Sequence, residues 1–382
     1  MIFLIASSII GLAASAITIK TLIGYTSLKW WWKLIVALIV LFCWFGHNFV
    51  WCCRHHNILS PVYYNIFATA AYIGLGVGFI LLVLLLARDF IWFASYEISK
   101  LAKLNVSTKL DPMNLHILNI ANLVTIGLAL ILTGWGMYEA LKTPEIKTIT
   151  ISDAKIKKPF KLVQINDLHI NRLTSEARVQ KLVDRVNALD ADAIAIVGDI
   201  ADEIPSKIEP QINILKTLKA KHGLHTVFGN HDFYMGLIPW LKVFTKQGFG
   251  PLFNSGRDID NNIYIAGIPD KSIDMVGVFG KIDMSKALKD NNDKKYTVLL
   301  SHTPDFTEEP IEGVDLILSG HTHGGQIFPF HFLVKSANKY LAGLYQEDGY
   351  KIYVSRGTGF WGPPIRLFAP SEITVINLEP EK

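Results

Sequence analysis

The chain has 382 residues, half of them hydrophobic, and a formal net charge of +4 at pH 7. Its mean hydropathy of +0.30 is high for a water-soluble protein. These values exclude a disordered, fibrous or wholly soluble chain. The small net charge gives no support to nucleic-acid binding.

Charged residues are distributed unevenly along the chain. Residues 1–141 contain only 12 of the 70 charged side chains, and the first acidic residue is Asp89. The distribution predicts a lipid-facing region over 1–141, a linker over 142–159 and a globular domain over 160–382. The last segment is long enough to bury a sizeable core.

Four apolar stretches in the first third are long enough to cross about 30 Å of hydrocarbon as helices. No polar face accompanies them, which disfavours buried helices of a soluble domain. They cover approximately residues 2–19, 34–53, 62–87 and 117–141. The pattern between Asp89 and Asn114 allows either an extension of the third helix or a helix lying in the membrane interface.

The short loops between these stretches differ in positive charge. If the first span starts outside, the outer loop holds only Arg54, and the inner loops hold seven basic residues, Lys20, Lys29, Lys33, Arg88, Lys100, Lys103 and Lys109. Five lysines just after the fourth span oppose this orientation, but large domains translocate largely regardless of charge. We therefore predict a multi-pass inner or plasma membrane protein with an extracytoplasmic domain.

All three cysteines, Cys43, Cys52 and Cys53, lie in or beside one apolar stretch. The globular segment has no cysteine. A disulfide framework and a thiolate metal site are therefore excluded there.

From Phe160 onward, short apolar runs alternate with helix-length amphipathic ones. Runs rich in β-branched residues and followed by Asp, Gly or Asn predict strands. The first five elements form a βαβαβ series, which implies parallel pairing, at 160–166, 175–189, 193–197, 208–219 and 225–228. Further strands are predicted at 263–268, 297–300, 315–318, 351–355 and 373–377. A mixed two-sheet sandwich with outer helices accommodates this order.

Polar side chains follow five of the predicted strands. The segments are Asp167-Leu168-His169, Gly198-Asp199, Gly229-Asn230-His231-Asp232, Ser301-His302 and Gly320-His321-Thr322-His323. Because the carboxyl ends of strands in an open α/β sheet form the ligand crevice, we expect these segments to converge. Residues two apart on an extended chain project to the same side, so the D-x-H and H-x-H segments can each present a pair of ligands.

These side chains supply oxygen and imidazole nitrogen donors without sulfur, which suit divalent Mn, Fe, Zn or Co. Their number exceeds what one ion needs, and two ions about 3.5–4 Å apart with a shared carboxylate would use them all. Each motif alone is weak, since a D-x-H triplet is more often a turn Asp with a surface His. Their conjunction at successive strand ends predicts a site for two divalent metal ions.

The series D-L-H, G-D, G-N-H-D, S-H and G-H-T-H resembles the calcineurin-like metallophosphoesterase superfamily over residues 161–378. The segments H-G-G-Q at 323–326 and V-S-R-G-T-G at 354–359 resemble its membrane-associated bacterial branch, called YkuE-like or YaeI-like. The first third resembles transmembrane proteins with a metallophosphoesterase domain. The resemblance implies a four-layer α/β/β/α sandwich after the four transmembrane helices.

The resemblance also implies a ligand set for each metal ion. The first set is Asp167, His169, Asp199 and His323. The second set is Asp199, Asn230, His302 and His321, so that Asp199 bridges the two ions. Asn166 stands where many relatives have Ser, and this difference leaves the ligand set complete.

The predicted site for two metal ions indicates that the protein hydrolyses a phosphoester. Two cations neutralise the phosphate oxygens and lower the pKa of a bridging water from 15.7 toward about 7, which gives hydroxide in line with the phosphorus. His231, outside the ligand set, is placed to stabilise the transition state or to protonate the leaving oxygen. Asp232 either orients this imidazole or caps the following turn. Arg356 and Arg366 are candidates for pairing with a substrate phosphate.

We therefore predict a membrane-anchored, metal-dependent phosphoric ester hydrolase acting on a phosphodiester or pyrophosphate. Relatives in this branch imply a lipid-linked substrate. It is UDP-2,3-diacylglucosamine of lipid A biosynthesis if the domain is cytoplasmic, and an envelope phospholipid if the domain faces outward. The alternatives are a membrane sensor or transporter with a metal-binding, non-catalytic domain, and hydrolysis of a non-phosphate substrate such as an amide. The complete ligand set favours the phosphoesterase.

Overall fold

The computed structural model describes residues 2–56, 58–103, 111, 114–275, 281–291, 294–307 and 311–381. The chain divides into two compact units. One unit is Met1–Tyr138 with Gly362–Ile365, and the other is Glu139–Trp361 with Arg366–Lys382.

The first unit is built from four long apolar helices. They are α1 (Ile2–Ile19), α2 (Trp30–His56), α3 (Pro61–Leu101) and α4 (Leu115–Leu141). A π-helical turn, Lys20–Gly24, follows α1. All four are long and apolar enough to cross a membrane, which confirms the predicted number of spans.

Helix α3 is longer than its apolar core requires. It continues without a break to Leu101, so the residues from Asp89 to Leu101 extend the third helix beyond the apolar stretch. Residues 104–110 and 112–113, in the rest of the stretch up to Asn114, lie outside the described residues.

Small residues bring α2 and α3 close together. A Cβ on Gly46 would lie 3.0 Å from the Cβ of Ala71, and one on Gly78 would lie 3.1 Å from the Cβ of Cys43. Close approach of this kind lets helices pack in lipid, where burial of apolar surface gives no gain.

The second unit contains two β-sheets. The strands of the first sheet are β1 (Glu145–Asp153), β2 (Phe160–Ile165), β3 (Ala193–Val197), β4 (Leu224–Val227) and β11 (Glu372–Pro380). Those of the second are β5 (Ser255–Ile259), β6 (Ile263–Gly267), β7 (Tyr296–Leu300), β8 (Leu316–Ser319), β9 (Gly343–Gln346) and β10 (Lys351–Val354). Their orders are β1-β11-β2-β3-β4 and β5-β6-β7-β8-β10-β9.

Alternate residues of the strands serve two cores. Leu162 of β2 and Leu300 of β7 belong to the apolar cluster between the sheets. Val163 of β2 faces the other way, into a cluster with Val183 of α5. Because side chains alternate across a strand, each sheet buries both of its faces.

The second unit also contains helices, some of which cover the outer faces of the two sheets. They are α5 (Glu176–Asn187), α6 (Glu209–Leu215), α7 (Asn230–Tyr234), α8 (Leu237–Gln247), α9 (Met284–Ala287) and α10 (His331–Ala337). Short 3₁₀ turns occur at Pro205–Lys207, Lys271–Met275 and His323–Gly325. Helices α5, α6 and α8 pack on the first sheet, and Ala287 of α9 packs on the second. The four-layer α/β/β/α sandwich predicted from the sequence is confirmed.

The segment 142–159, predicted as a linker, contains strand β1. The strand runs parallel to β11, with a register from Glu145 opposite Glu372 to Asp153 opposite Pro380. Only Ile151 is buried in it, so the segment lacks the continuous apolar run by which the other strands were predicted. Its pairing partner lies more than two hundred residues away in the sequence, so the strand forms only when the fold brings β11 beside it.

Candidate metal centre

The ends of five strands meet at one place in the second unit. Strands β2, β3 and β4 run parallel in the first sheet, and β7 and β8 run parallel in the second. Ligand atoms lie within 4.8 Å of one another in three groups: Asp167 with His169 and His323, Asp167 with Asp199 and His302, and His169 with Asp199 and His231. The predicted convergence of the strand-end segments is therefore present in the fold.

Asp199 reaches donors of both predicted ligand sets. Its Oδ2 lies 3.2 Å from Nε2 of His302 and 3.7 Å from Nε2 of His169. Its Oδ1 accepts a hydrogen bond from the backbone N–H of His231 at 2.9 Å. This backbone contact orients the carboxylate between the two groups of imidazoles.

Asp167 faces a pair of imidazoles. Its Oδ1 lies 3.5 Å from Nε2 of His323 and 4.0 Å from Nε2 of His302. The Nε2 atoms of His169 and His323 are 3.0 Å apart. A carboxylate oxygen and two ring nitrogens thus point toward a common space.

Asn230 and His321 complete the cluster. Nδ1 of His321 lies 3.0 Å from Oδ1 of Asn230, and the rings of His321 and His302 are 5.3 Å apart. The structure therefore brings together all seven side chains predicted as metal ligands.

The protonation pattern of His302 fits a divalent cation. Its Nδ1 lies 3.0 Å from the carbonyl oxygen of Val197, which can only accept, so Nδ1 carries the proton. Burial would lower the pKa of this ring, but the carboxylates of Asp199 and Asp167 raise it well above its usual range, so without a cation Nε2 is protonated as well. Among the described residues this buried atom makes no hydrogen bond of good geometry, and a bound metal ion would take the place of its proton. A buried polar atom left unpaired costs about 1–3 kcal/mol. A cation among these nitrogen and carboxylate donors would satisfy it, and the donor set suits Mn, Fe, Zn or Co.

Burial sets the protonation of two further imidazoles. Burial, together with His302, lowers the pKa of His321 to about 4. Burial, together with His169 and Arg366, lowers the pKa of His323 well below its usual range. Both rings are therefore neutral at pH 7, the state in which imidazole binds a metal.

The loops that carry the donors have unusual backbone conformations. A left-handed φ occurs at five of the predicted ligands: Asp167 (51°), His169 (46°), Asp199 (51°), His321 (69°) and His323 (51°). Each such non-glycine residue costs of order 1–3 kcal/mol, and such strain clusters at functional sites. The fold thus maintains a donor geometry that the isolated loops would not favour.

Two glycines let the carboxylates reach the centre. A Cβ on Gly229 would lie 2.1 Å from Oδ1 of Asp199, and one on Gly320 would lie 2.6 Å from Oδ2 of Asp167. Any larger residue at either position would displace a carboxylate.

Asp202 is a site residue that the sequence analysis missed. Its Oδ1 lies 2.7 Å from Nδ1 of His231 and 3.0 Å from Nδ1 of His169. Asp232, considered for orienting His231, instead accepts from the backbone N–H groups of Ile200 and Gly229 at 3.0 and 2.9 Å, so it caps the turn. The available signal was a second carboxylate three residues after Asp199 in Gly-Asp-Ile-Ala-Asp.

His231 differs from the buried donors in its exposure and charge. Its side chain is 18% exposed, whereas that of His302 is 0% exposed. Burial alone would lower its pKa, but the carboxylates of Asp202 and Asp199 raise it to about 9. The imidazole therefore holds a proton at pH 7.

The two predicted phosphate-binding arginines occupy different environments. Arg366 is fully buried, its Nη1 donates to carbonyl groups including that of Arg356 at 2.7 Å, and its Nη2 lies 3.1 Å from Nδ1 of His323. Arg356 is 28% exposed, and its Nε donates to Oε2 of Glu372 at 2.7 Å. A role in substrate binding stays a prediction for both residues.

Comparisons with known proteins agree with this geometry. A protein-family model described as calcineurin-like phosphoesterase matches residues 160–325 of the sequence. The chain is 33% identical over 389 residues to an uncharacterized metallophosphoesterase of Campylobacter jejuni, with all of both chains covered. It is 31% identical over 271 residues to the transmembrane protein with metallophosphoesterase domain of Danio rerio, covering 66% of this chain and 62% of that protein. It is 32% identical over 232 residues to the uncharacterized metallophosphoesterase YkuE of Bacillus subtilis, covering 58% and 79%.

The variant Gly229→Ala should lose bound metal, because the new Cβ would collide with Oδ1 of Asp199. The φ of −96° at Gly229 is accessible to alanine, so the effect should be steric and not backbone strain. Elemental analysis of full-length protein purified with Mn²⁺ measures it. Gly134→Ala, where a Cβ would meet nothing within 4 Å, is the matched control. A metal content equal to wild type in Gly229→Ala would contradict the assigned geometry.

Proposed function

The chain belongs to the calcineurin-like phosphoesterase family, and on that basis we propose that it is a membrane-anchored hydrolase that cleaves a phosphodiester or pyrophosphate bond with two divalent metal ions. The observation that carries the proposal is the meeting of oxygen and nitrogen donors from five strand ends in one buried cluster. The four apolar helices and the likeness to proteins named transmembrane make it a membrane protein.

The proposed division of ligands is the one that the family resemblance implies, and the distances are compatible with it. Asp167, His169, Asp199 and His323 would hold one ion, since Nε2 of His169 and of His323 are 3.0 Å apart. Asp199, Asn230, His302 and His321 would hold the other, with Asp199 shared. When bound, such ions neutralise charge on the phosphate oxygens and lower the pKa of water.

His231 is proposed as the group that protonates the leaving oxygen. Asp202 holds its Nδ1 at 2.7 Å, so Nε2 is the nitrogen that remains to face a substrate. The raised pKa keeps a proton on the ring at pH 7. Asp202 is a positioning residue, because its contacts are to His231 and His169 and not to a reacting atom.

We propose that the domain faces away from the cytoplasm. The support is the excess of basic residues in the segments that connect the apolar stretches, seven on the predicted inner side against Arg54 on the outer side. In that orientation the substrate would be an envelope phospholipid or another extracytoplasmic phosphodiester. A cytoplasmic domain would instead suit UDP-2,3-diacylglucosamine.

The proposed reaction predicts that purified full-length protein with Mn²⁺ hydrolyses bis(p-nitrophenyl) phosphate faster than p-nitrophenyl phosphate. UDP-2,3-diacylglucosamine tested in parallel separates the two substrate classes. Failure of the metal-loaded wild type to hydrolyse any of the three substrates would contradict the proposed reaction.

Asp199→Asn should remove nearly all activity and most of the bound metal, because one carboxylate would serve both ions. Two metal equivalents retained in this variant would contradict the shared ligand.

His231→Ala should lower turnover by about 10²–10⁴-fold for a diester with an alkyl leaving group. The loss should be smaller with p-nitrophenolate, because that oxygen leaves without a proton. Metal content is measured in parallel, since a ligand atom of His231 lies within 4.8 Å of those of His169 and Asp199. Equal losses for both leaving groups would argue against proton donation, and loss of one metal equivalent would make His231 a ligand.

The proposed orientation predicts that a protease added to intact cells cleaves the domain. An epitope tag after the last residue and an immunoblot give the measurement. A cytoplasmic protein detected on the same blot controls for cell integrity. Protection in intact cells combined with digestion in inverted vesicles would place the domain in the cytoplasm.

A further inference from the structure

A cavity of about 390 Å³ opens beside the loop that carries His323. Its walls include Phe328, Leu341, Leu367 and Phe368, and Gly324 and Arg356 also line it. Gly324 directly follows His323 in the chain. The volume lies within the range of roughly 300–1,000 Å³ typical of sites that bind small ligands.

Arg356 supplies the polar part of this cavity. Its Nε is held by Oε2 of Glu372 at 2.7 Å, and its Cγ would lie 2.9 Å from a Cβ on Gly324. Within the described part of the chain, its Nη1 and Nη2 atoms make no hydrogen bond to protein. Guanidinium groups presenting two N–H donors suit phosphate oxygens.

Exposed aromatic and aliphatic side chains continue the apolar wall to the surface. Phe328 is 43% exposed, Phe332 64%, Leu333 63% and Phe368 74%. The ring of Phe328 lies 5.7 Å from that of Phe368 and 6.2 Å from that of Phe332. The rings of Phe368, Phe328 and Phe332 thus form contiguous exposed apolar surface, with Leu333 next to Phe332 in the chain, and such surface marks an interaction site.

We propose that this cavity and the exposed side chains around it, the Phe328–Phe368 groove, bind the hydrocarbon chain of a lipid phosphoester substrate. The inference rests on the proposed function, because it places the chain next to the bond that the metal centre would cleave. The metal ligand His323, the guanidinium of Arg356 and the aromatic wall of the cavity follow one another in this order. The order matches a phosphate group followed by a hydrocarbon chain. A protein ligand would not require this order.

The source of such a ligand is the bilayer itself. Only Lys142–Pro144 separate the end of α4 at Leu141 from the start of β1 at Glu145. The apolar helices therefore keep the domain where lipids are the most concentrated apolar molecules. Lys335, exposed on the same helix as Phe332 and Leu333, adds the basic charge that favours anionic lipid.

The test compares two diesters with the same leaving group, hexadecyl p-nitrophenyl phosphate and methyl p-nitrophenyl phosphate, in mixed detergent micelles with the full-length protein and Mn²⁺. The wild type should prefer the hexadecyl diester in kcat/KM. Phe368→Ser and the double variant Phe332→Ser/Leu333→Ser should reduce this preference about tenfold, which corresponds to about 1.4 kcal/mol. Ile146→Ser, at a residue 37% exposed on β1, is the matched control and should leave the preference as in wild type.

The possible results distinguish an error in the proposed hydrocarbon site from an error in the proposed phosphoesterase activity. A wild type that hydrolyses both diesters equally, or groove variants that keep the wild-type preference, would overturn the hydrocarbon site while leaving the phosphoesterase intact. Unchanged preference with an altered oligomeric state in size-exclusion chromatography would assign the surface to a second copy of this chain and also overturn it. If the metal-loaded wild type hydrolyses neither diester, the proposed function is contradicted, and the proposed hydrocarbon site is contradicted with it.

Discussion

Two buried carboxylates, Asp167 and Asp199, lie within reach of several imidazoles, and the surrounding domain holds these groups together. Buried carboxylates are costly unless a positive charge accompanies them. Burial raises the pKa of Asp167, which expresses that cost. Divalent cations would neutralise the carboxylates and replace the proton on His302 Nε2, so the electrostatics of the cluster and its proposed chemistry have one physical origin.

The sandwich makes this cluster possible because it brings the carboxyl ends of strands from two sheets to one edge. Core packing between the sheets, through residues such as Leu162 and Leu300, determines their separation. The left-handed residues and Gly229 and Gly320 then turn the loops inward. The apolar clusters on both faces of the sheets stabilise the strands that precede the loops. The backbone strain at the ligands is therefore tolerated.

The membrane region and the proposed Phe328–Phe368 groove would both interact with lipid. The four apolar helices are long enough to cross a bilayer, and only three residues separate the last of them from the first strand of the domain. The exposed rings of Phe332 and Phe368 would be unfavourable in water and favourable against hydrocarbon. Anchoring and the proposed substrate selection would therefore use one physical effect, the transfer of apolar surface out of water.

The sequence by itself determined the four apolar spans and the strand-end motifs, because apolar length and local residue type report them directly. The family resemblance carried by those motifs then implied the seven candidate ligands. Only the tertiary structure decided three features. Strand β1 depends on a distant partner, β11. The carboxylate of Asp202 is visible in the sequence, but its part in the site follows only from its contacts with His231 and His169. Arg366 and Arg356 look alike in sequence, but packing buries the first against carbonyl groups and leaves the second partly exposed. Burial and long-range pairing arise from the whole fold, so no local pattern encodes them.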